Sequence, residues 1–566
     1  VRAPLTGATV RIDPTTLVDH PLSKERIAVY NSGLVPFARY RRDASHIADV
    51  RPESLRVDLG WGAEWMPWTR EVVTRSGDGA LAFDFEETDR IARLLGEAGT
   101  RPYWSYCYVP QAARESGEDW RTMGRDDSVW VRTVAAYVEG LRDRGVAVGY
   151  HEVYNEPDLR DERTAEPTFY TGDLEDYLDL YRATAAAVRS ADPAARIGGP
   201  ALAVAAVHAD WLHAFCRMVT AEGLPLDFLS FHHYGHFGLE DTLRTVGDVL
   251  ADYPALRDVE WHLNEYNSFG IDYPRGGLQD SHLLASAFAA DIPRLLAHRR
   301  LTRTHWAQFL DSGEGNFSGM VDIDGRPKPI HAVYRFYQHM PVDRVALDVA
   351  GPRGLGGVAS TAGSTTHAIV WNRHFTDLDV QLRLHDARGP AAVTTVDADG
   401  VAPEYPLALD AGRASLVVRA GGVVLIRVGG PIAAPRPRRA WGIALQDQGA
   451  GWADLDEAGL AFRFGTGAGT GWSAYAADVP DDAVPDDWEV RATTADGTPV
   501  DAAVVVRTDD EQRVVAGSVA PDAAPNAWSG RSVDRPAPAG HRRIVVAATA
   551  PAGTFVTLSP RAEAER

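Results

Sequence analysis

Lysine is almost missing from this chain. Only Lys24 and Lys328 occur among its 566 residues, so nearly all of the positive charge is arginine. A barrel enzyme that works through a lysine Schiff base, or one that holds pyridoxal, needs that lysine at a strand end, and neither residue lies on a clear core strand. Cysteine is as scarce. Cys107 and Cys216 sit inside the apolar patterns WSYCYV and WLHAFCRMV, where a small buried hydrophobe is expected. That excludes a disulfide framework and a cysteine-based zinc site. No run approaches the ~18 apolar residues needed to span a bilayer, so no membrane is expected as a partner. Basic charge is short too: 57 Lys and Arg face 78 Asp and Glu, and the net charge of −21 repels nucleic acid and anionic surfaces. A neutral partner fits better. The first residue is Val1 and no signal-like apolar stretch follows it, which leaves the compartment open between cytoplasmic and secreted with a leader removed.

What is present is too long for one hydrophobic core, so a large domain with one or two smaller ones is expected. From residue 26 to 340, short apolar runs alternate with stretches of helical period, the pattern of parallel strands with helical crossovers. Eight units can be counted, with strands at 26–29, 54–59, 102–106, 148–154, 197–200, 228–231, 259–263 and 304–309. That spacing predicts an α/β fold, a closed (β/α)8 TIM barrel. Ile91, Leu94, Leu95 and Ala98 form one helical stripe before Gly99, and Val131, Val134, Val138 and Leu141 another before Gly145. A third, from Leu174 to Val188, is stopped by Pro193. Residues 341–430 turn to β alternation with glycine turns, which predicts a β-sandwich. The Pro- and Arg-rich stretch 429–439 reads as a linker, and 431–566 as that linker and a second β-rich domain. Residues 1–25 carry the alternating segment TVRID, expected to add an edge strand to the first sandwich.

The chemistry is sought at the C-terminal rim of the barrel, where a residue just past a strand's apolar run points into the site from rigid scaffold. Two carboxylates qualify. In VGYHEVYNEPDL, Asn155 and Glu156 end the fourth strand, and Pro157 has no N–H with which to continue the ladder. In VEWHLNEYN, Glu265 ends the seventh. Hydrolysis of a glycosidic bond with retention needs two such groups about 5–5.5 Å apart, one protonated and one ionised, whereas inversion needs ~6.5–9.5 Å.

The segments VYNEPDL, LDFLSFHHY, LNEYN and THWAQF, the last followed by FSGMVDIDGRPKPIHAVYRFY, resemble the motifs of strands four, six, seven and eight in glycoside hydrolase family 39, the β-xylosidase and α-L-iduronidase family of clan A. The resemblance spans residues 26–340. It implies a retaining exo-glycosidase that acts on an oligosaccharide or glycoside through a covalent intermediate, with no cofactor and no metal. Glu156 would then be the general acid/base and Glu265 the nucleophile. It also implies that Asn155 contacts the sugar 2-hydroxyl and that Tyr234 and Arg56 hold Glu265. Trp306 would floor the sugar site, and His232 and His233 of the FHHY motif would line it. The sequence departs from the family pattern at Asp58, where Arg-x-His is common, and at Asn264, where threonine is usual. An acid in place of that histidine changes which hydroxyl is held, so Asp58 joins the substrate-binding set and the sugar stays open. A xyloside leads, with an arabinoside, galactoside or uronide as alternatives; Arg56 and Arg275 are the basic groups a uronide would need. The alternative outside enzymology is a glycan-binding protein on a barrel scaffold. Whether the chain forms a homo-oligomer is open.

Three further clusters have structural as well as functional readings. His232, His233 and His236 suggest a metal site, but the first strand, IAVYNSG, offers no His-x-His to complete one, so sugar-site or structural roles are expected. Trp61, Trp65 and Trp68 read either as sugar-stacking platforms or as a loop packed on itself, and Trp441, Trp452, Trp472 and Trp488 as sandwich core rather than a carbohydrate-binding surface.

Overall fold

Eight of the apolar runs pair side by side in a computed structural model of the chain. The structure describes residues 5–429 apart from 33–34, 36, 64–65, 67–70, 125–126, 162, 236–237, 270–277, 313–317, 324, 387–388 and 403; beyond them it describes nine strands between 442 and 560, and residues 499–501. The barrel strands, one to eight, are Ile27–Asn31, Ser54–Asp58, Arg101–Tyr106, Tyr150–Val153, Ile197–Leu202, Phe228–Tyr234, Glu260–Asn267 and Leu301–Ala307. Each pairs in parallel with the next, and the eighth closes on the first through 304–307 against 27–30. Both faces of such strands are covered, by the barrel interior and by helices, which is why IAVYN and SLRVD are buried at every position.

The helices between them follow their apolar stripes. Ile91 and Leu95 are buried on Glu86–Glu97, and Gly99 and Gly145 turn the chain past two helix ends with φ of +78° and +67°. On Ser128–Asp143 the stripe is displaced: Val134, Val138 and Leu141 are buried, but Trp130 and Tyr137 fill the place expected of Val131, which is half-buried. Leu174–Ala191 starts at a reciprocal cap, Asp173 accepting from the Asp176 backbone N–H at 3.1 Å and the Asp173 N–H donating to the Asp176 carboxylate at 3.0 Å. Among the described residues, no helix is long and apolar enough to cross a membrane.

The sandwich after the barrel is a ten-stranded sheet around a core that includes Val10, Ile12, Val370, Val380, Leu382 and Ile426. The N-terminal strand Leu5–Leu17 belongs to it, though not as the edge its alternation suggested. It lies inside the sheet, antiparallel to Asp343–Ala350 and parallel to Leu378–Leu384. The alternation marks only which face is buried; neighbours on both sides are contributed by chain far downstream. The last nine strands form one five-stranded and one four-stranded antiparallel sheet. Trp452, Trp472 and Trp488 begin strands there; Trp441 and the linker from 430 lie outside the described residues.

If the N-terminal strand is integral to the sandwich, truncating its core side chain should destabilise that sheet. Ile12→Ala, at a fully buried position, is expected to cost about 2–5 kcal/mol. Calorimetry should show a lowered transition, and an unchanged thermogram would mean that the strand is dispensable.

Candidate active site

Strand two sends Arg56 and, two residues on, Asp58 to the barrel interior, as the alternation of a strand requires. The Arg56 guanidinium is fully buried and surrounded by acceptors. Its Nε donates to Glu152 Oε2 at 2.7 Å, its Nη1 to Glu265 Oε1 at 2.7 Å and its Nη2 to Asn155 Oδ1 at 2.8 Å, while Asp58 Oδ1 stands 3.2 Å from Nη1. Three carboxylates around it push the Arg56 pKa up against the opposing effect of burial, so it is permanently charged. Arg56 thereby ties together strands two, four and seven.

Glu265 owes its aim to an irregularity. His262 meets Tyr103 inside the barrel, and Asn264 donates to Glu152 Oε1. Strict alternation would then turn Glu265 outward. The register of strand seven against strand six slips between Leu263 and Glu265, a bulge, so Asn264 and Glu265 both face the interior. The bulge also carries the strand to Asn267, past the Leu263 end read from the apolar run. Tyr234 on strand six donates to Glu265 Oε2.

Glu156 follows strand four in a left-handed backbone conformation, φ +46°, with its N–H donating to the Ala201 carbonyl at 3.1 Å. A non-glycine residue there is strained, and such strain is tolerated where the surroundings over-determine it. Asp158, two residues on, supplies part of that hold: it accepts the N–H groups of Ala203 and Val204 at 2.8 and 3.2 Å and meets His208 Nδ1 at 2.8 Å, latching the loop after strand four to the loop after strand five. His232 bridges the two carboxyls. Its Nδ1 lies 2.7 Å from Glu156 Oε1 and its Nε2 3.7 Å from Glu265 Oε1. One ligand atom from each of Glu156, His232 and Glu265 lies within 4.8 Å of the others. The nearest oxygens of the two carboxyls are thus closer than the ~6.5–9.5 Å between carboxyl groups that leaves room for an attacking water.

Burial sets the acidity of the pair. It pushes Glu156 up to about 8, helped by the charges of Asp158 and Asp58 and opposed by Arg56. It pushes Glu265 up to about 7, restrained by His232 and Arg56. The order follows from the partners, since only Glu265 is touched by the guanidinium. Burial lowers the pKa of His232, so its ring is neutral. The same three side chains are close enough to hold a metal ion, but a guanidinium 2.7 Å from Glu265 opposes a second cation there. The donor set suits proton traffic better.

Two residues of the expected set are elsewhere. His233 and Trp306 fall on the outward parity of strands six and eight. His233 Nδ1 lies 3.0 Å from Thr242 Oγ1 on the helix Leu239–Ala251, and the Trp306 ring packs edge-on to Tyr266 and to Phe288 of the helix His282–Ala297. Neither reaches the carboxyl pair, because a strand cannot turn consecutive side chains to one face without a bulge. Trp61 is fully buried against Tyr106 of strand three and Trp130 and Tyr137 of the helix Ser128–Asp143, so it packs on the barrel rather than on its own loop. Trp65, Trp68, His236 and Arg275 lie outside the described residues. Sequence reading missed Glu152, Tyr30, Tyr108 and Asp158. Tyr30 donates to Asp58 Oδ2 at 2.6 Å, and Asn155 Nδ2 donates to the Tyr108 hydroxyl at 3.1 Å. A signal for Glu152 was available, as an acid inside the apolar strand YHEV needs a buried cation.

The site is thus a pair of carboxyls over a buried arginine, at the strand ends of a closed (β/α)8 barrel. The model for glycosyl hydrolases family 39 matches residues 48–259, a stretch that contains Glu156 and stops before strand seven. Over that stretch the chain is similar to the family. It is 29% identical over 313 residues to a β-xylosidase of Caldicellulosiruptor saccharolyticus, covering 50% of this chain and 62% of that protein. To a β-xylosidase of Geobacillus stearothermophilus it is 27% identical over 215 residues, 33% of this chain and 41% of the relative. The chain thus spans less than two thirds of either relative. The solved monomeric β-xylosidase of Caulobacter crescentus superposes with a TM-score of 0.61 at 19% identity, over 75% of this chain and 100% of that one, a likeness of fold.

The raised acidity constant of Glu156 has a consequence for stability. Unfolded, the carboxyl loses its proton near the ordinary 4.5; folded, it keeps it to about 8. The native state binds the extra proton between those values, so this group's contribution to stability falls as pH rises through that window. Glu156→Gln cannot ionise. The melting temperature of this variant relative to the wild type is expected to climb by at least about 2 °C between pH ~5 and ~8.5. Parallel curves would mean that Glu156 titrates normally.

Proposed function

We propose that this chain is a retaining exo-glycosidase, β-xylosidase-like, with residues 26–340 as its catalytic unit. A single observation carries the reading: Glu156 and Glu265 face each other within 4.8 Å, with Arg56 and Tyr234 both donating to Glu265. At that separation a carboxylate attacks the anomeric carbon directly, and the other carboxyl protonates the departing oxygen.

Glu265, the lower of the two in pKa, attacks as carboxylate while Arg56 and Tyr234 fix its orientation. Glu156 gives its proton to the leaving group. The neutral His232 accepts from Glu156 at Nδ1 and turns its Nε2–H toward the Glu265 charge. Once Glu265 is esterified by the sugar its charge is gone, the Glu156 pKa falls, and Glu156 takes a proton from the water that releases the sugar. Asn155, held by Arg56 and Tyr108, is placed to meet the sugar 2-hydroxyl, a contact that strengthens as positive charge develops on the ring. The substrate is a glycoside or oligosaccharide.

Glu265→Ala is expected to abolish turnover of aryl glycosides, and azide to restore it with inversion of the anomeric centre; residual turnover without azide would sink the nucleophile assignment. Wild-type kcat/KM should be bell-shaped in pH, its limbs at about 7 and about 8 belonging to the coupled pair. Glu156→Gln, assayed on an activated substrate, should lose the alkaline limb, and a limb that stays in place would assign it to another group. A wild-type chain that binds aryl glycosides without cleaving them would favour the glycan-binding alternative instead.

A further inference from the structure

One carboxylate oxygen beside the catalytic pair has no donor. Asp58 is 2% exposed, and its Oδ2 accepts from the Tyr30 hydroxyl at 2.6 Å. Its Oδ1 is buried and accepts nothing, since Arg56 Nη1, 3.2 Å away, is misaligned for a hydrogen bond. An unsatisfied buried acceptor of this kind is costly, so it calls for a partner that arrives later. Asp58 stands one inward step beyond Arg56 on strand two, nearer the barrel mouth, and its charge is felt by both Glu156 and Glu265. His232 Nε2, also buried, likewise has no hydrogen bond.

The charge balance of the described residues favours a neutral partner. Asp58, Glu152 and Glu265 share Arg56, and among the described residues no other arginine or lysine forms an ion pair with them or with Glu156. A second anion placed here would face uncompensated carboxylates in a dry site, where repulsion is weakly screened. Hydroxyl groups donate without adding charge.

Resting on the retaining glycosidase reading above, the geometry points to Asp58 as the residue that selects the glycone: Oδ1 accepts one hydroxyl of the sugar held between Glu156 and Glu265, and that sugar is neutral. Uronides are turned away.

The test uses the full chain and nitrophenyl glycosides of β-D-xylose, α-L-arabinose, β-D-galactose and β-D-glucuronic acid. A neutral glycoside should be the best substrate, with kcat/KM about 100-fold or more above the glucuronide, as expected when a charged group meets a mismatched site. Monodeoxy analogues of that best substrate are then compared on wild type and Asp58→Ala. Removing one particular hydroxyl should cost the wild type about 10- to 100-fold, the range of a hydrogen bond to a charged acceptor, and cost the variant almost nothing further. Losses that multiply independently for every hydroxyl would overturn the assignment, as would a glucuronide turned over best. Should Asp58→Ala fold poorly, the near-isosteric Asp58→Asn serves in the same cycle, where the dependence on that one hydroxyl should weaken and the penalty against glucuronide shrink. Failure of the cycle with Glu265-dependent turnover intact overturns only the role of Asp58; absence of turnover on the whole panel overturns the glycosidase reading and this inference with it.

Discussion

The Arg56 guanidinium is the point on which the site depends. A buried arginine without acceptors would be far too costly to keep, and three buried carboxylates without a cation would be worse. Each makes the other tolerable. The planar fork of arginine presents donors in several directions at once, which one ammonium group could not do with the same geometry. So strand two reaches Glu152 and Asn155 on strand four and its end, and Glu265 on strand seven, through a single side chain. The relative placing of Glu156 and Glu265 is inherited from that arrangement: Asn155 is the neighbour of Glu156 in sequence, and Glu265 is bonded to the guanidinium itself.

The two carboxyls differ because their neighbours differ. Glu265 is bonded to the cation and to the Tyr234 hydroxyl; Glu156 meets a neutral imidazole and feels Asp158 nearby. Similar burial with unequal company separates their proton affinities, and that separation is what acid and nucleophile roles require.

The eight strands were legible in the sequence because apolar runs broken by helical stripes allow few folds, and Asn155, Glu156 and Glu265 stood out because two carboxylates past such runs occur together with the flanking motifs, where either alone would read as a solvated loop residue. Three things were not. The bulge at Leu263–Glu265 leaves no mark in the residue pattern, and it alone decides that Asn264 and Glu265 share a face. The parity of His233 and Trp306 was lost because the motif was taken whole, whereas a strand alternates. The interior position of Leu5–Leu17 depends on partners more than three hundred residues away, and no local signal reports it.

That last pairing reaches into how the molecule is made. Leu5–Leu17 leaves the ribosome before the barrel, yet its neighbours Asp343–Ala350 and Leu378–Leu384 appear only after the whole barrel has been synthesised. At about 5–20 residues per second the strand waits tens of seconds or more with both backbone edges unpaired. Its alternating Val10 and Ile12 face is then a template for any other extended chain. Yield on overexpression should therefore be governed less by the barrel than by how long this early strand stays unpaired.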